Sequence, residues 1–276
     1  REIVLRLKGD ITCSFAKSFF QSWEMYGELT KKRLNTIVHH EFEIVQDIPS
    51  YIGRATEKKL YKLLSKARKE ILIETPYFVP SSKLINTLGK LTKKGIKINL
   101  LIPNRSDVRI VDVLRNRYLG KLYKKGIIIN YYTEKITHSK LLIVDDKFFM
   151  LGSSNIDYRS FIYNYEINFV GKDKIIINKL KEFFRQGLSK SKAFDYDEWK
   201  NRSQNPSLQR IGRGPGAYSI DELQLINGNM MQINDRLRTR RDSRFSVNNS
   251  QPISQEPPSM INNALLDVVD VSMPRK

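Results

Sequence analysis

The chain has 276 residues, one cysteine and a formal net charge of +19. A single cysteine excludes an intrachain disulfide, and no apolar run approaches the roughly 18 residues that a membrane-spanning helix needs. Residues 1–201 hold 27 Lys, 11 Arg and 22 acidic residues, so a net charge of +16 belongs to the part that is predicted to fold. This charge favours partners that carry phosphate, either nucleic acid or an anionic membrane surface.

The first predicted elements are a strand and a helix. Residues 1–7 alternate apolar and polar side chains, as a half-buried strand does, and Asp10 can cap the helix that follows. Phe15, Phe19 and Trp23 recur at helical spacing, which predicts an aromatic stripe packed in the core. Because the chain starts inside a strand without a methionine, we expect it to be a fragment.

Two adjacent histidines, His39 and His40, occupy a predicted extended stretch at residues 36–45. Neighbouring side chains in a strand point to opposite faces, so these two are not expected to hold one metal ion together. We interpret both as structural or surface residues, and we expect no metal site in the chain.

From residue 49 onward, predicted strands alternate with helices. The predicted helices span residues 56–69, 81–94, 107–126 and 173–188; the strands span 71–73, 96–102, 127–132 and 165–170. This alternation predicts an α/β fold, a mixed β-sheet flanked by helices on both faces. Active sites of such sheets gather at strand ends, where the loops at 75–80 and 103–107 would lie.

The stretch at residues 137–170 carries the residues most suited to chemistry. His138, Lys140 and Asp145 form an H-x-K-x₄-D pattern on a predicted hairpin, and alternation places His138 and Lys140 on one strand face. An imidazole can attack phosphorus or transfer a proton near neutral pH, and a lysine can bind phosphate oxygens. A structural hairpin with an incidental histidine is the alternative, since the three residues match by chance in roughly 2% of such sequences.

Further polar residues follow at short offsets. Gly152 allows close approach of a ligand to the backbone, Ser153 and Asn155 can donate hydrogen bonds to a charge-rich transition state, and Glu166 adds a carboxylate. Requiring these residues together makes the accidental match far rarer. The stretch is therefore predicted to be a phosphate-handling site.

Residues 202–276 are rich in Asn, Ser, Gln, Pro and Arg and show no sustained hydrophobic period. This composition predicts disorder, with short helices at residues 220–237 and 260–269. A basic cluster at residues 236–244 could contact lipid or a partner, although an inert solvated tail is the simpler interpretation.

The 137–170 stretch resembles the HKD motif of the phospholipase D superfamily, H-x-K-x₄-D-x₆-G-S-x-N. Its GSSNIDYRSFIYNYEINF segment is similar to the cardiolipin synthase branch, and TPYFVP at 75–80 and PNRSD at 103–107 extend the likeness across residues 1–188. The resemblance implies the C-terminal half of a two-lobed protein. Residues 1–35 would end a truncated first lobe, residues 36–201 would form the second lobe, and residues 202–276 would be the tail.

The resemblance also implies an activity, the exchange of a phosphodiester between phosphatidylglycerol molecules through a phosphohistidine, without metal or other cofactor. His138 would be the acid/base, with the nucleophile role left open, and Lys140, Ser153 and Asn155 would hold the phosphoryl oxygens. Asp145 would fix the hairpin, and Glu166 would fix the tautomer of an imidazole.

Three functions remain open on the sequence. They are a cardiolipin synthase-type phosphatidyltransferase, another HKD phosphodiesterase such as a phospholipase D or a dimeric nuclease, and a silent remnant that binds anionic lipid. We favour the first, with anionic phospholipid, the cytoplasmic face of the cell membrane and the missing N-terminal lobe as partners, and nucleic acid not expected. The isolated chain, with one HKD motif, is expected to be inactive.

Overall fold

The structure is a computed structural model that describes residues 1–24, 34–49, 53–134, 136–204 and 266–272. It divides into two compact units, Arg1–Tyr196 with Asn263–Lys276, and Asp197–Asn262. The first unit contains the sheet and the predicted site. Among the described residues, no helix combines the length and the apolar character that crossing a bilayer requires.

The described helices are α1 (Ile11–Glu24), α2 (Ala55–Leu64), α3 (Ser82–Lys93), α4 (Arg109–Lys124), α5 (Tyr158–Ile162), α6 (Lys174–Ser189) and α7 (Tyr196–Gln204). The described strands are β1 (Glu2–Lys8), β2 (Ile37–His39), β3 (Phe42–Asp47), β4 (Glu70–Glu74), β5 (Phe78–Val79), β6 (Lys97–Pro103), β7 (Ile128–Tyr132), β8 (Leu141–Val144), β9 (Phe148–Gly152), β10 (Ile156–Asp157), β11 (Glu166–Gly171), β12 (Ser191–Ala193) and β13 (Leu266–Ser272).

The main sheet has nine strands in the order β12-β7-β6-β4-β8-β9-β11-β3-β2. The neighbours β4, β6 and β7 are parallel, because α3 and α4 carry the chain back between them. From β8 onward the pairings are antiparallel, as the hairpin β8–β9 requires. The predicted α/β fold with a mixed sheet is confirmed.

Both faces of the sheet are covered by helices. One face packs against α1 and α6 in a single apolar cluster, which includes the fully buried Phe149 and Phe184. Strand alternation turns Ile71 and Ile73 to the opposite face, where α2, α3 and α4 bury their own apolar residues, Leu60 among them. Burial on both faces explains why the strands are continuous apolar runs.

Strand register brings the predicted loops together at one edge of the sheet. Glu74, at the end of β4, lies opposite Leu101 of β6 and Leu141 of β8, and Leu141 in turn lies opposite Leu151 of β9. The short parallel pair β5–β10 then joins the segment after β4 to the segment after β9. The loops at 75–80 and 103–107 therefore lie at the same sheet edge as the His138 segment before β8, as predicted.

The predicted aromatic stripe of α1 is wrong in part. Phe15 packs on Phe169 with ring centroids 5.7 Å apart, but Phe19 and Trp23 are 57% and 68% exposed. The buried positions of the helix include Ser18. Residues spaced by four drift about 40° around a helix at each step, so each successive aromatic after Phe15 turns further from the sheet.

The tail shows one element that the sequence interpretation missed. Residues Leu266–Ser272 form β13, which pairs in parallel with β1, so the helix predicted at 260–269 is wrong. The sequence LDVVDVS is rich in valine, which favours strands over helices. The helix predicted at 220–237, the basic cluster at 236–244 and most of the stretch predicted to be disordered lie outside the described residues.

Candidate active site

His138 and Lys140 lie immediately before β8, with their side chains on the same side of the chain. The His138 N–H donates to the Arg1 carbonyl at 2.7 Å, which fixes this segment beside the start of β1. Lys140 Nζ lies 2.9 Å from His138 Nε2 and donates to the His138 carbonyl at 2.7 Å. Glu2 Oε1 lies 3.1 Å from His138 Nδ1, and the imidazole is half exposed. A carboxylate at Nδ1 favours Nε2 as the nitrogen that reacts.

Lys140 carries a perturbed ammonium group. Burial lowers its pKa to about 8. Several carboxylates oppose this shift, and Glu2 and Glu166 have the largest opposing effects. The group is therefore still mainly protonated at neutral pH, but it is poorly solvated. A phosphate oxygen placed beside it would replace the missing solvation and raise the pKa again.

Ser153 and Glu166 are joined directly. Ser153 Oγ donates to Glu166 Oε2 and accepts from the Ile167 N–H at 3.0 Å. Asn164 Nδ2 donates to the other oxygen, Glu166 Oε1, at 3.0 Å. Among the described residues, Glu166 has no hydrogen bond to His138, and its role on an imidazole stays a prediction. Ser153 must rotate its hydroxyl away from Glu166 to donate to a ligand.

Asn155 follows the end of β9. Its N–H donates to Ser160 Oγ at 3.1 Å, while its Oδ1 is buried and has no hydrogen-bond partner among the described residues. A buried amide oxygen without a donor costs free energy, which a ligand hydroxyl or an ordered water would recover.

One cavity of about 810 Å³ unites five of the six predicted residues. Its polar wall contains His138, Lys140, Ser153, Asn155 and Glu166. The lining also includes apolar residues from β1, α1 and the sheet, namely Ile3, Leu5, Leu7, Phe15, Leu151 and Phe169. The cavity therefore has room for a polar headgroup beside a hydrocarbon surface.

Asp145 lies at the far end of β8, roughly 16 Å along the strand from Lys140. Its carboxylate accepts from the backbone N–H groups of Arg68, Lys69 and Glu70, the last two at 2.7 and 2.8 Å. It adopts a left-handed backbone with φ 53° in the β8–β9 turn. Asp145 thus ties this turn to the start of β4 and does not reach the cavity.

A buried carboxylate beneath the site was missed from the sequence. Glu74 is completely buried, Thr137 Oγ1 donates to it, and Arg1 Nε lies 3.5 Å away. Burial raises the pKa of Glu74 to about 7, although Arg1 and Thr137 oppose the shift. Its position at the end of an apolar strand, just before the 75–80 loop, was the available signal. Glu74 holds the residue next to His138.

Tyr77 and Asp107 form a second pair at the same edge. Tyr77 Oη donates to Asp107 Oδ1 at 2.6 Å, and burial together with this bond raises the pKa of Tyr77 to about 12. The helix predicted at 107–126 instead begins at Arg109, with Val108 at its N-cap. The Asp107 carboxylate accepts from the tyrosine on the neighbouring loop.

Comparisons with known proteins identify the family to which this domain is similar. Residues 60–188 match the family described as cardiolipin synthase, PLD-like domain. The chain carries a phospholipase D-like domain of the cardiolipin synthase type. It is 30% identical over 213 residues to the major cardiolipin synthase ClsA of Bacillus subtilis, covering 73% of this chain and 44% of that protein. Cardiolipin synthase 2 of Bacillus anthracis is also 30% identical, over 73% of this chain and 41% of its own length.

The fold is shared with a more distant solved structure. A phosphatidylserine synthase of Haemophilus influenzae superposes with a TM-score of 0.56 at 14% identity, over 78% of this chain and 52% of that one. This cardiolipin synthase-like chain therefore spans less than half the length of the two curated relatives and about half of the structural one.

Proposed function

We propose that this chain supplies one half of the active site of a phosphatidyltransferase of the cardiolipin synthase type, acting on phosphatidylglycerol. The observation that supports this most is the cavity in which His138, Lys140, Ser153, Asn155 and Glu166 meet beside an apolar wall. Such a cavity suits an anionic headgroup that is attached to a lipid.

The proposed reaction has two balanced steps. An imidazole attacks the phosphorus of one phosphatidylglycerol, the bond to glycerol breaks, and a phosphatidyl-histidine forms as the glycerol oxygen takes a proton. A hydroxyl of a second phosphatidylglycerol then loses a proton and attacks the phosphorus, which releases the histidine and yields cardiolipin. We assign His138 Nε2 to the proton transfers, because Nδ1 faces Glu2 and Nε2 does not.

Neighbouring groups would stabilise the charge on the phosphoryl oxygens. Lys140 Nζ provides the positive charge at a partly desolvated position, where its electrostatic effect is larger than in water. Ser153 and Asn155 would donate hydrogen bonds from the end of β9, with Glu166 holding Ser153 until the substrate arrives.

The scheme requires a second imidazole, because attack and leaving-group protonation occur on opposite sides of one phosphorus. The chain has three histidines, and His39 and His40 lack the lysine and aspartate offsets of the motif. We therefore propose that a second lobe with its own HKD motif completes the site. Two copies of this chain, each giving one His138, are the alternative source.

The test is an assay of lipid products with and without a second lobe. Phosphatidylglycerol micelles are incubated with the chain by itself, and with the N-terminal half of the Bacillus subtilis ClsA relative, and products are identified by mass spectrometry. We expect cardiolipin and glycerol in the mixture, little with either part by itself, and none when the chain carries His138→Ala.

Two other results would replace this proposal. Cleavage of DNA or RNA as the sole detectable reaction would favour the nuclease, which the +19 charge makes a fair competitor. Binding of anionic vesicles without turnover, even after a second lobe that is active with its own C-terminal half is added, would favour the silent lipid-binding remnant.

A further inference from the structure

Outside the cavity, the turn between β2 and β3 brings two histidines to the start of α1. One ring nitrogen of His39, one of His40 and a carboxylate oxygen of Asp10 all lie within 4.8 Å of one another. We propose that these three residues, the Asp10–His39–His40 cluster, bind a divalent transition-metal ion such as Zn²⁺.

The backbone explains why the two rings meet. His39 ends β2 and lies opposite Phe42 of β3, so His40 and Glu41 make the turn. His40 has φ 51°, a left-handed conformation that is uncommon for a residue other than glycine. In a continuous strand the two side chains would point to opposite faces, which is why no shared metal ion was expected. The turn removes that constraint, and the rings lie edge to face with centroids 4.7 Å apart.

His39 is held as a metal-binding histidine usually is. Its Nδ1 lies 3.2 Å from Ser14 Oγ, which orients the ring from α1. Its Nε2 is buried and has no hydrogen-bond partner among the described residues, although Asp10 Oδ1 is 3.3 Å away. The carboxylate is thus near Nε2 but not aligned with it. An ion between the two would give each a partner.

The three ligand atoms must move slightly closer together to bind one ion. Ligands of a tetrahedral Zn²⁺ lie about 3.4 Å apart, since each bond is about 2.0–2.1 Å. Asp10 and His40 are exposed and can rotate by the ångström or so that is needed, while His39 stays fixed. Two imidazoles and one carboxylate favour Zn²⁺, Co²⁺ or Ni²⁺ over Mg²⁺ or Ca²⁺, with water as a further ligand.

The bound ion would brace the fold. It would connect the β2–β3 turn, at one edge of the main sheet, to the residue just before α1, a helix whose Thr12 and Phe15 line the active-site cavity. The ion is therefore assigned a structural effect on α1, and this inference does not depend on the proposed phosphatidyl transfer.

The test is a Zn²⁺ titration of the chelator-stripped chain by calorimetry, at a pH above the ordinary imidazole pKa. We expect one ion per chain with a Kd of about 10 µM or tighter. His40→Asn and Asp10→Asn should each weaken binding at least about tenfold; asparagine tolerates the left-handed backbone, so His40→Asn should still fold. Cobalt absorption in place of zinc reports directly on the nitrogen and oxygen ligands.

Two matched variants separate this cluster from other ligands. Cys13→Ser removes the exposed thiol one turn along α1, and His138→Asn removes the remaining histidine; both should bind Zn²⁺ as the parent does. Zn²⁺ should also raise the melting temperature of the parent by a few degrees, but not that of His40→Asn. Equal binding by parent and His40→Asn, or loss of binding in Cys13→Ser, would overturn the proposal.

Discussion

At the scale of single residues, His138 and Lys140 differ in how far their side chains are exposed to solvent. The imidazole is half exposed and contributes little to the core, whereas the lysine ammonium is partly desolvated within the cavity. A charged group that is held partly desolvated costs stability, and such groups are typical of functional sites.

We therefore predict that His138→Asn removes turnover and leaves the fold intact. In the two-lobe assay the rate should fall by at least ~10², while the melting temperature changes by about 2 °C or less. Lys93→Ala, on the exposed end of α3, is the control that loses a charge away from the cavity. A rate within a few-fold of the parent would remove His138 from the mechanism.

Lys140 should make anion binding depend on pH. Because its pKa is lowered to about 8, the ammonium loses its proton as the pH rises through this value, and affinity for sulfate should fall about tenfold per pH unit above it. Sulfate keeps a constant charge in this range. Calorimetry should show the decline in the parent and in Lys93→Ala, but weak and pH-independent binding in Lys140→Met. The same profile in Lys140→Met would assign the titration to another group.

At the scale of elements, the β8–β9 turn is anchored by one carboxylate. Asp145 and Asp146 share a left-handed backbone, with φ 53° and 54°. Asp145 accepts hydrogen bonds from three backbone N–H groups. Asp146 instead pairs with Lys181 at the surface. The two neighbours thus form a matched pair in which backbone strain is the same and hydrogen bonding differs.

We predict that Asp145→Ala destabilises the fold more than Asp146→Ala does. Each lost charge-assisted hydrogen bond is worth about 1.5–3 kcal/mol, so the difference in free energy of unfolding should be at least ~2 kcal/mol. Urea denaturation measures it. Equal losses of unfolding free energy in the two variants would show that water replaces Asp145 as the acceptor for the three N–H groups at little cost.

Glu74, at the end of β4, should make stability depend on pH with a defined sign. Its pKa is raised from 4.5 to about 7 in the folded chain, so its contribution is fully present below pH 4.5 and is lost as the pH rises through 7. Glu74→Gln cannot ionise. Its melting temperature relative to the parent should therefore increase between these two pH values.

The control for Glu74 is Glu182→Gln, which changes an exposed glutamate of α6. Its difference from the parent should stay constant across the same range. A flat difference for Glu74→Gln as well would mean that Arg1 keeps the buried carboxylate ionised throughout.

At the scale of the whole molecule, the net charge predicts which kind of membrane surface the chain binds. Residues 1–201 carry +16, so the folded part should bind vesicles that contain phosphatidylglycerol and ignore neutral phosphatidylcholine vesicles. Vesicle co-sedimentation should show binding that weakens steeply as salt is raised, because the Debye length falls from about 10 Å at 0.1 M to 3 Å at 1 M. Binding that is equal for neutral and anionic vesicles would contradict an electrostatic origin.

The sequence by itself determined the class of fold and predicted five of the residues that line the cavity. Alternating strands and helices predict the sheet because burial on both faces demands apolar strands, and the spacing of His138 and Lys140 places them on one side of a strand by geometry alone. The family likeness also rests on local spacing, and residues 60–188 carry it.

Only the tertiary structure decided which distant residues meet. Glu2 contacts His138, which is 136 residues away in the sequence. Glu74 contacts Thr137, the residue before His138, which is 63 residues away. The left-handed backbone at His40 places its side chain beside that of His39, whereas strand alternation would put them on opposite faces. Local patterns report the conformation of a segment, whereas these contacts depend on which strands are neighbours in the sheet, and strand order is set by the packing of the whole chain.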